Sequence, residues 1–380
     1  MSGILPEIRL LAAAIPLTTS DGAPPTAIPA GIRWNLVLTR SRREGVAPLL
    51  AWRLERERQI QILPDSIRKE FEASRLATAG RIIPLLQALR DIDESFAAAG
   101  ISAVLFKGAA LLETLYPDPG IRDMADADIL VTPEDVPAAR DALEQTGFLP
   151  VGWVPDGAPA ADSIFNAALF RRGNFPAALH VHMHWRWSNA SLPVASAPAD
   201  AIPSSIPRPG FRALRIPVPE HHAVILAAHA FKHGFRKLIH LADLAGLWRK
   251  MNPAPAAVAM AAHRWGLNRA VGLALAITGE FYAVPDMRAA ANRLEAGRPV
   301  PRIERTFRRR ALARHRPTPR AFWLELTWRN SWRERMALLS RALFPPRDDI
   351  RRITGRDRPT GYGDYLRRIG RGLMDPRWYQ

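Results

Sequence analysis

Over the first hundred residues, apolar side chains recur at three- and four-residue spacing, the period of a helix buried along one face. The pattern predicts helices over GVAPLLAWRLERERQ and over SIRKEFEASRLATAGRIIPLLQALRDIDESFAAAG, the second capped at Gly100. The N-terminal MSGILPEIRLLAAAIPLTTSDG reads as an amphipathic helix, because Glu7 and Arg9 interrupt it and no basic run precedes it. A loop rich in Pro and Gly, TTSDGAPPTAIPAG, lies between the first helices. Then the period changes. ISAVLF (101–106) is a short continuous apolar run with β-branched residues, a buried strand ended by Lys107-Gly108. AALLETLY predicts one or two helical turns, PDPG (117–120) a turn, and ADILV (127–131) the next strand. TPEDVPAARDALEQTG (132–147) predicts a helix with Thr132 as N-cap and Pro133 at its first position. FLPVGW follows as a strand, and AALFRRG with ALHVHMHWRW (178–187) as a hairpin. On the second arm His180, His182 and His184 alternate with other residues and so share a face. From about Pro217 the chain turns helical again, through PEHHAVILAAHAFKHGF, KLIHLADLAGLWRK, an Ala-rich segment (254–278) and TPRAFWLELTWRNSWRERMALLSRALF (318–344).

Composition narrows the classes. The chain has 380 residues, is 48% hydrophobic and carries no run long enough for a transmembrane helix. It has no cysteine, which excludes disulfides, thiolate metal sites and a cysteine nucleophile, and is compatible with a cytoplasmic location. The net charge is +17, and from Arg288 to Gln380 there are 24 Arg against 9 Asp or Glu. Such asymmetry fits an anionic partner for the C-terminal region, or a GC-rich coding bias that raises Arg, Ala and Pro together. The Arg- and Trp-bearing tail fits contact with RNA or an anionic membrane surface, and equally a helical subdomain with a solvated Arg face.

The chemistry concentrates in LFKGAALLETLYPDPGIRDMADADILV (105–131). Asp126 and Asp128 stand two residues apart at a strand's mouth and point to one side. Paired carboxylates repel unless a cation lies between them, and hard oxygen donors suit Mg²⁺ with substrate phosphates. An isolated Asp-x-Asp pair also fits a solvated strand end. His229 and His233, four apart on a helix, fit either a pocket wall or ordinary packing, and HAFKH lacks the Glu of a zinc protease motif. A zinc site on the three strand histidines is a further possibility. No P-loop, GxSxG elbow or GxGxxG turn is present.

Strand, Lys-Gly turn, helix, turn and Asp-x-Asp strand together resemble the signature of the DNA polymerase beta-like nucleotidyltransferase superfamily. KGAAL, Tyr116, Arg122 and DADILV, with GVAPLL before them and HMHW, a His-x-x-Lys-His helix and Asp-Leu-Ala (243–245) after, look like the bacterial nucleotidyltransferase family 5, an uncharacterised family. The resemblance is strongest from about 95 to 250. It implies an α+β fold: a small mixed β-sheet nucleotidyltransferase core with extensive N- and C-terminal helical regions. The divisions would be 1–90 helical, 91–215 core, 216–290 helical and 291–380 Arg-rich helical. It implies metal-dependent transfer of an NMP from an NTP to a hydroxyl or phosphate acceptor, such as a peptide, saccharide or RNA. Asp126 and Asp128 would hold Mg²⁺ (or Mn²⁺). Gly108 would let the backbone approach the triphosphate. Lys107 stands where many relatives have a second glycine; it would contact a phosphate or pair with Asp126. Arg122 would brace the aspartates or phosphates, or form a salt bridge at its turn. His184, His229, Lys232, His233 and Asp243 would line the nucleotide or acceptor pocket. One departure matters. The superfamily usually supplies a third acid from a later strand, and here that place falls to His182. Histidine serves as a base near neutral pH and also binds metals. The departure therefore leaves two other readings open, an inactive nucleotide- or partner-binding module and an RNA-binding protein using the Arg-rich region.

Overall fold

The apolar run at 101–106 becomes strand β1 (Ala103–Phe106), buried along its whole length. The computed structural model describes residues 6–11, 27–112, 114–152, 154–159, 166–174, 177–186, 202–295, 302–313 and 332–344, with 326, 328 and 363. Six more strands follow: β2 (Ala127–Leu130), β3 (Leu149–Pro150), β4 (Ala167–Arg172), β5 (Leu179–His184), β6 (Ile206–Pro207) and β7 (Leu214–Ile216). They form one mixed sheet in the order β3-β4-β5-β2-β1-β7-β6. β1 runs antiparallel to β2 and parallel to β7, and β2 runs parallel to β5. Both central strands, β1 and β2, are continuous apolar runs broken only by Asp128, as expected where both faces are covered.

Thirteen α-helices are described, and the expected α+β class holds. The first four are α1 (Pro6–Leu11), α2 (Trp34–Arg43), α3 (Ala47–Arg56) and α4 (Asp65–Ala98). Gly100, at φ +69°, takes the left-handed turn that ends α4. Helix α5 (Lys107–Leu111) follows β1 directly, and α6 (Val136–Gln145) packs on α4. The helical half contains α7 (Pro219–Lys232), α8 (Leu238–Met251), α9 (Pro255–Arg264), α10 (Asn268–Phe281), α11 (Pro285–Glu295), α12 (Arg302–Ala313) and α13 (Trp332–Leu343). No helix among the described residues is long and apolar enough to cross a membrane.

Several expectations shift. Helix α6 starts at Val136, not at Pro133. Residues 132–135 form a turn closed by Asp135 N–H to Thr132 C=O at 3.1 Å, with Thr132 Oγ1 accepting the same N–H at 3.2 Å. Pro137 explains this: in a helix begun at 133 its missing N–H would fall in the interior, whereas from Val136 it sits in the first turn. Helix α5 begins at Lys107 and ends at Leu111, so AALLETLY is helical only at its start. FLPVGW yields a two-residue edge strand, and the Ala-rich segment divides into α9 and α10 around Trp265–Leu267. The 318–344 helix is described at 326 and 328 and from Trp332 on; the rest of its earlier part, most of the 18–31 loop and most residues beyond 344 lie outside the described residues. Strands β6 and β7 were not expected.

Two carboxylates tie the N-terminal helices to later parts of the chain, one to the sheet and one to α8. Asp93, on α4, accepts the backbone N–H groups of Arg212, Ala213 and Leu214 at 2.7–2.8 Å, fixing the start of β7. Glu44, just past α2, accepts from Leu238 N–H through Oε2 at 3.0 Å, and its carbonyl accepts from Ile239 at 3.1 Å. Two of the N–H groups left open at the start of α8 are thereby satisfied.

Candidate functional site

Strand β1 ends in a backbone reversal. Phe106 is extended, and Lys107 takes φ +54°, a left-handed conformation that costs a residue with a side chain about 1–2 kcal/mol. The reversal aims Lys107 Nζ at Asp128 Oδ1, 2.6 Å away on β2. Lys107 therefore pairs with Asp128, not with Asp126. His222, from α7, is buried near the Lys107 backbone, which favours its charged form against the burial that lowers its pKa to about 4.

The parallel pairing of β2 and β5 places Asp128 beside His182 and Leu130 beside His184. His184 Nε2 lies 2.7 Å from the same Asp128 Oδ1. His182 Nδ1 lies 2.9 Å from Asp126 Oδ2 and 3.8 Å from Asp128 Oδ1. Asp128 is the inner carboxylate, with its side chain 9% exposed; Asp126 is the outer one, at 36%. Burial alone would raise the Asp128 pKa, but the Lys107 ammonium and the His184 hydrogen bond hold it well below the ordinary carboxylate range. Burial and the Lys107 charge push His184 down to about 4 against the pull of Asp128, so its ring is neutral at pH 7. Asp128, His182 and His184 each offer a donor atom, and the three atoms lie within 4.8 Å of one another. His180, two residues back on β5, does not join this group among the described residues, so the three strand histidines do not form a site by themselves.

Arg122 and Asp243 engage each other rather than Asp126 or Asp128. Arg122 Nη2 and Nε donate to Asp243 of α8 at 2.5 and 3.2 Å, and Tyr116 Oη donates to the same carboxylate. The guanidinium packs directly on Gly108, which explains why this position carries no side chain. Asp243 and the charged Arg122 therefore set the turn that carries Lys107.

Around the end of α7 three histidines gather beside one lysine. His229 and Lys232 of α7, His233 just past its end and His240 of α8 are all partly exposed. The imidazole centroids stand 4.5 Å apart for His229–His233 and His229–His240, and 5.3 Å for His233–His240. Burial, with the neighbouring positive groups including Lys107, lowers Lys232 to about 8 and His233 to about 4. His229 and His240 are pushed well below the ordinary histidine range, first by burial. The charge of Asp128 acts the other way on Lys232 and His233, so both lie within electrostatic reach of that carboxylate.

His240, His222 and Asn166 belong to this arrangement but were not singled out in the sequence. His222 falls seven residues before His229, on the same helical face, which was a usable signal. Asn166 Nδ2, 3.3 Å from His184 Nδ1, gave none.

No curated protein and no solved structure matches the chain. A family model does, over residues 30–283, a span that includes α2 to α10 and every strand of the sheet. The Asp-x-Asp mouth of β2, the turn at Lys107-Gly108 and the His-Lys helix all fall inside it, and the chain belongs to that family, described as an uncharacterised nucleotidyltransferase.

Proposed function

We propose that this protein transfers a nucleoside monophosphate from an NTP to a hydroxyl or phosphate acceptor, with a divalent cation held by Asp126 and Asp128. The observation that carries the reading is the ionised, buried Asp128 at the mouth of β2, next to the more exposed Asp126 and His182 and beside the Gly108 turn. The donor set fits such a cation: Asp128 is already neutralised by an ammonium at 2.6 Å, so the site is built to hold positive charge. When bound, the cation would neutralise charge developing on the α-phosphate and favour loss of the acceptor's proton. The chain's own residues do the rest. Gly108 lets the Arg122 guanidinium close on the turn after β1, and so holds Lys107 in place. Lys107 is placed to move from Asp128 to a phosphate oxygen. His229, Lys232 and His233 would receive the outer phosphates, and Arg122 and Asp243 hold the two sides of the pocket together. The acceptor oxygen, from a peptide, saccharide or RNA, bonds to the α-phosphorus as the bond to the β-phosphate oxygen breaks and pyrophosphate leaves. Residues 91–215 would be the transferase core, in a cytoplasmic bacterial enzyme.

A second reading, nucleotide binding without transfer, is favoured by His182 standing where relatives of this pattern carry an acid. Calorimetry with ATP, GTP, CTP and UTP, with Mg²⁺ or Mn²⁺, on wild type and on Asp126→Asn/Asp128→Asn tests both. Metal-dependent binding lost in the variant, with pyrophosphate release on adding an acceptor, supports transfer. Binding without pyrophosphate release under any acceptor class supports the second reading. No binding of any NTP by folded wild type sinks both.

A further inference from the structure

The donors around Asp128 are unusual for a magnesium centre. Parallel pairing of β2 with β5 brings two imidazole nitrogens, not a third carboxylate, to the Asp-x-Asp mouth. His182 Nδ1 stands 2.9 Å from Asp126 Oδ2 and 3.8 Å from Asp128 Oδ1, and His184 Nε2 stands 2.7 Å from Asp128 Oδ1. Two donors each about 2.1 Å from a shared ion stand about 3 Å apart at right angles and further at wider angles, so the separations of His184 and His182 from Asp128 Oδ1 suit common ligation. Magnesium favours oxygen donors and keeps much of its water. Imidazole with carboxylate suits zinc and the later first-row ions.

The His184 ring is also fixed in place on its outer side. Phe106 meets its ring edge-on at 5.0 Å between centroids, and Asn166 sits 3.3 Å from Nδ1, the nitrogen facing away from Asp128. Asn166 Nδ2 also reaches the Arg186 carbonyl at 3.3 Å.

We infer that this is a mixed carboxylate–imidazole centre, formed by Asp128, His182 and His184, that selects Mn²⁺, Fe²⁺, Co²⁺ or Zn²⁺ over Mg²⁺. It rests on reading the cleft as a metal centre but not on any nucleotide. It also takes His182 out of the general base's role, because a ring that ligates through Nδ1 carries its proton on Nε2.

The test uses the full chain, stripped with chelator, and each metal alone. Calorimetry is expected to show Mn²⁺ and Zn²⁺ binding at least 100-fold tighter than Mg²⁺. Pulsed electron paramagnetic resonance of the Mn²⁺ form is expected to show coupling to imidazole nitrogen. His182 is half-buried, so His182→Asp keeps the fold, removes one nitrogen signal and narrows the preference at least tenfold. A wild-type Mn²⁺ spectrum without nitrogen coupling, or the same preference in His182→Asp, overturns the inference. Metal binding with nitrogen coupling but no NTP binding leaves it standing while the transferase reading falls.

Discussion

The guanidinium of Arg122 occupies the space a side chain at Gly108 would need: a Cβ built there lies 2.6 Å from Arg122 Cζ. Arg122 has no room to retreat, because Asp243 and Tyr116 hold its other side. Gly108→Ala is expected to lower stability by about 1–3 kcal/mol through overpacking. Denaturant unfolding measures this, and an unchanged midpoint would mean that the guanidinium moves freely.

Removing the partner carries a larger cost. Asp243→Ala leaves the buried Arg122 charge uncompensated, and the expected loss is about 3–5 kcal/mol. Arg122→Lys does not rescue stability, since one ammonium cannot reproduce two guanidinium hydrogen bonds. The same unfolding assay on both variants checks the pair.

Lys107 offers a comparison free of charge effects. Lys107→Gly and Lys107→Ala both lose the ammonium on Asp128, but only alanine keeps a Cβ at φ +54°. The glycine variant is expected to be the more stable of the two by about 1–2 kcal/mol. Equal midpoints would show that the reversal is not strained.

Acid should weaken the fold through its depressed histidines. The folded pKa of His222 is about 4, against 6.5 for a free histidine. The unfolded chain takes up its proton first as pH falls, so stability is complete above about 6.5 and is lost on the way to 4. For His222 alone the loss is on the order of 3 kcal/mol. Unfolding free energies at pH 7 and pH 5 should therefore differ more in wild type than in His222→Gln.

Lys232 gives a second dependence, at the alkaline end. Its folded pKa of about 8 means that it is charged below pH 8 and neutral above. NTP affinity is expected to fall as pH rises past 8, by at most about tenfold per unit for one proton. In Lys232→Gln that segment of the profile should be flat.

The central strands were legible because both are buried on two faces and read as plain apolar runs. The Asp-x-Asp pair was legible because charge interrupting such a run needs a partner. Lys107 was placed correctly at the turn, but its choice of Asp128 over Asp126 depends on a backbone angle that no residue type announces. β7 went unseen for another reason. Its three residues follow a Pro-Gly turn and owe their place to the Asp93 carboxylate, more than a hundred residues earlier. The start of α6 was misjudged because two prolines compete, and only the second fits the first turn.

The pairing of Ala103 with Leu214 has a consequence for biosynthesis. As the chain leaves the ribosome, α4, β1 and β2 emerge long before β7 does. For that interval β1 presents an unpaired edge, and the Asp93 carboxylate waits without its amides. Fragments that stop short of residue 216 would carry this open edge permanently, and an exposed apolar edge invites pairing with another chain.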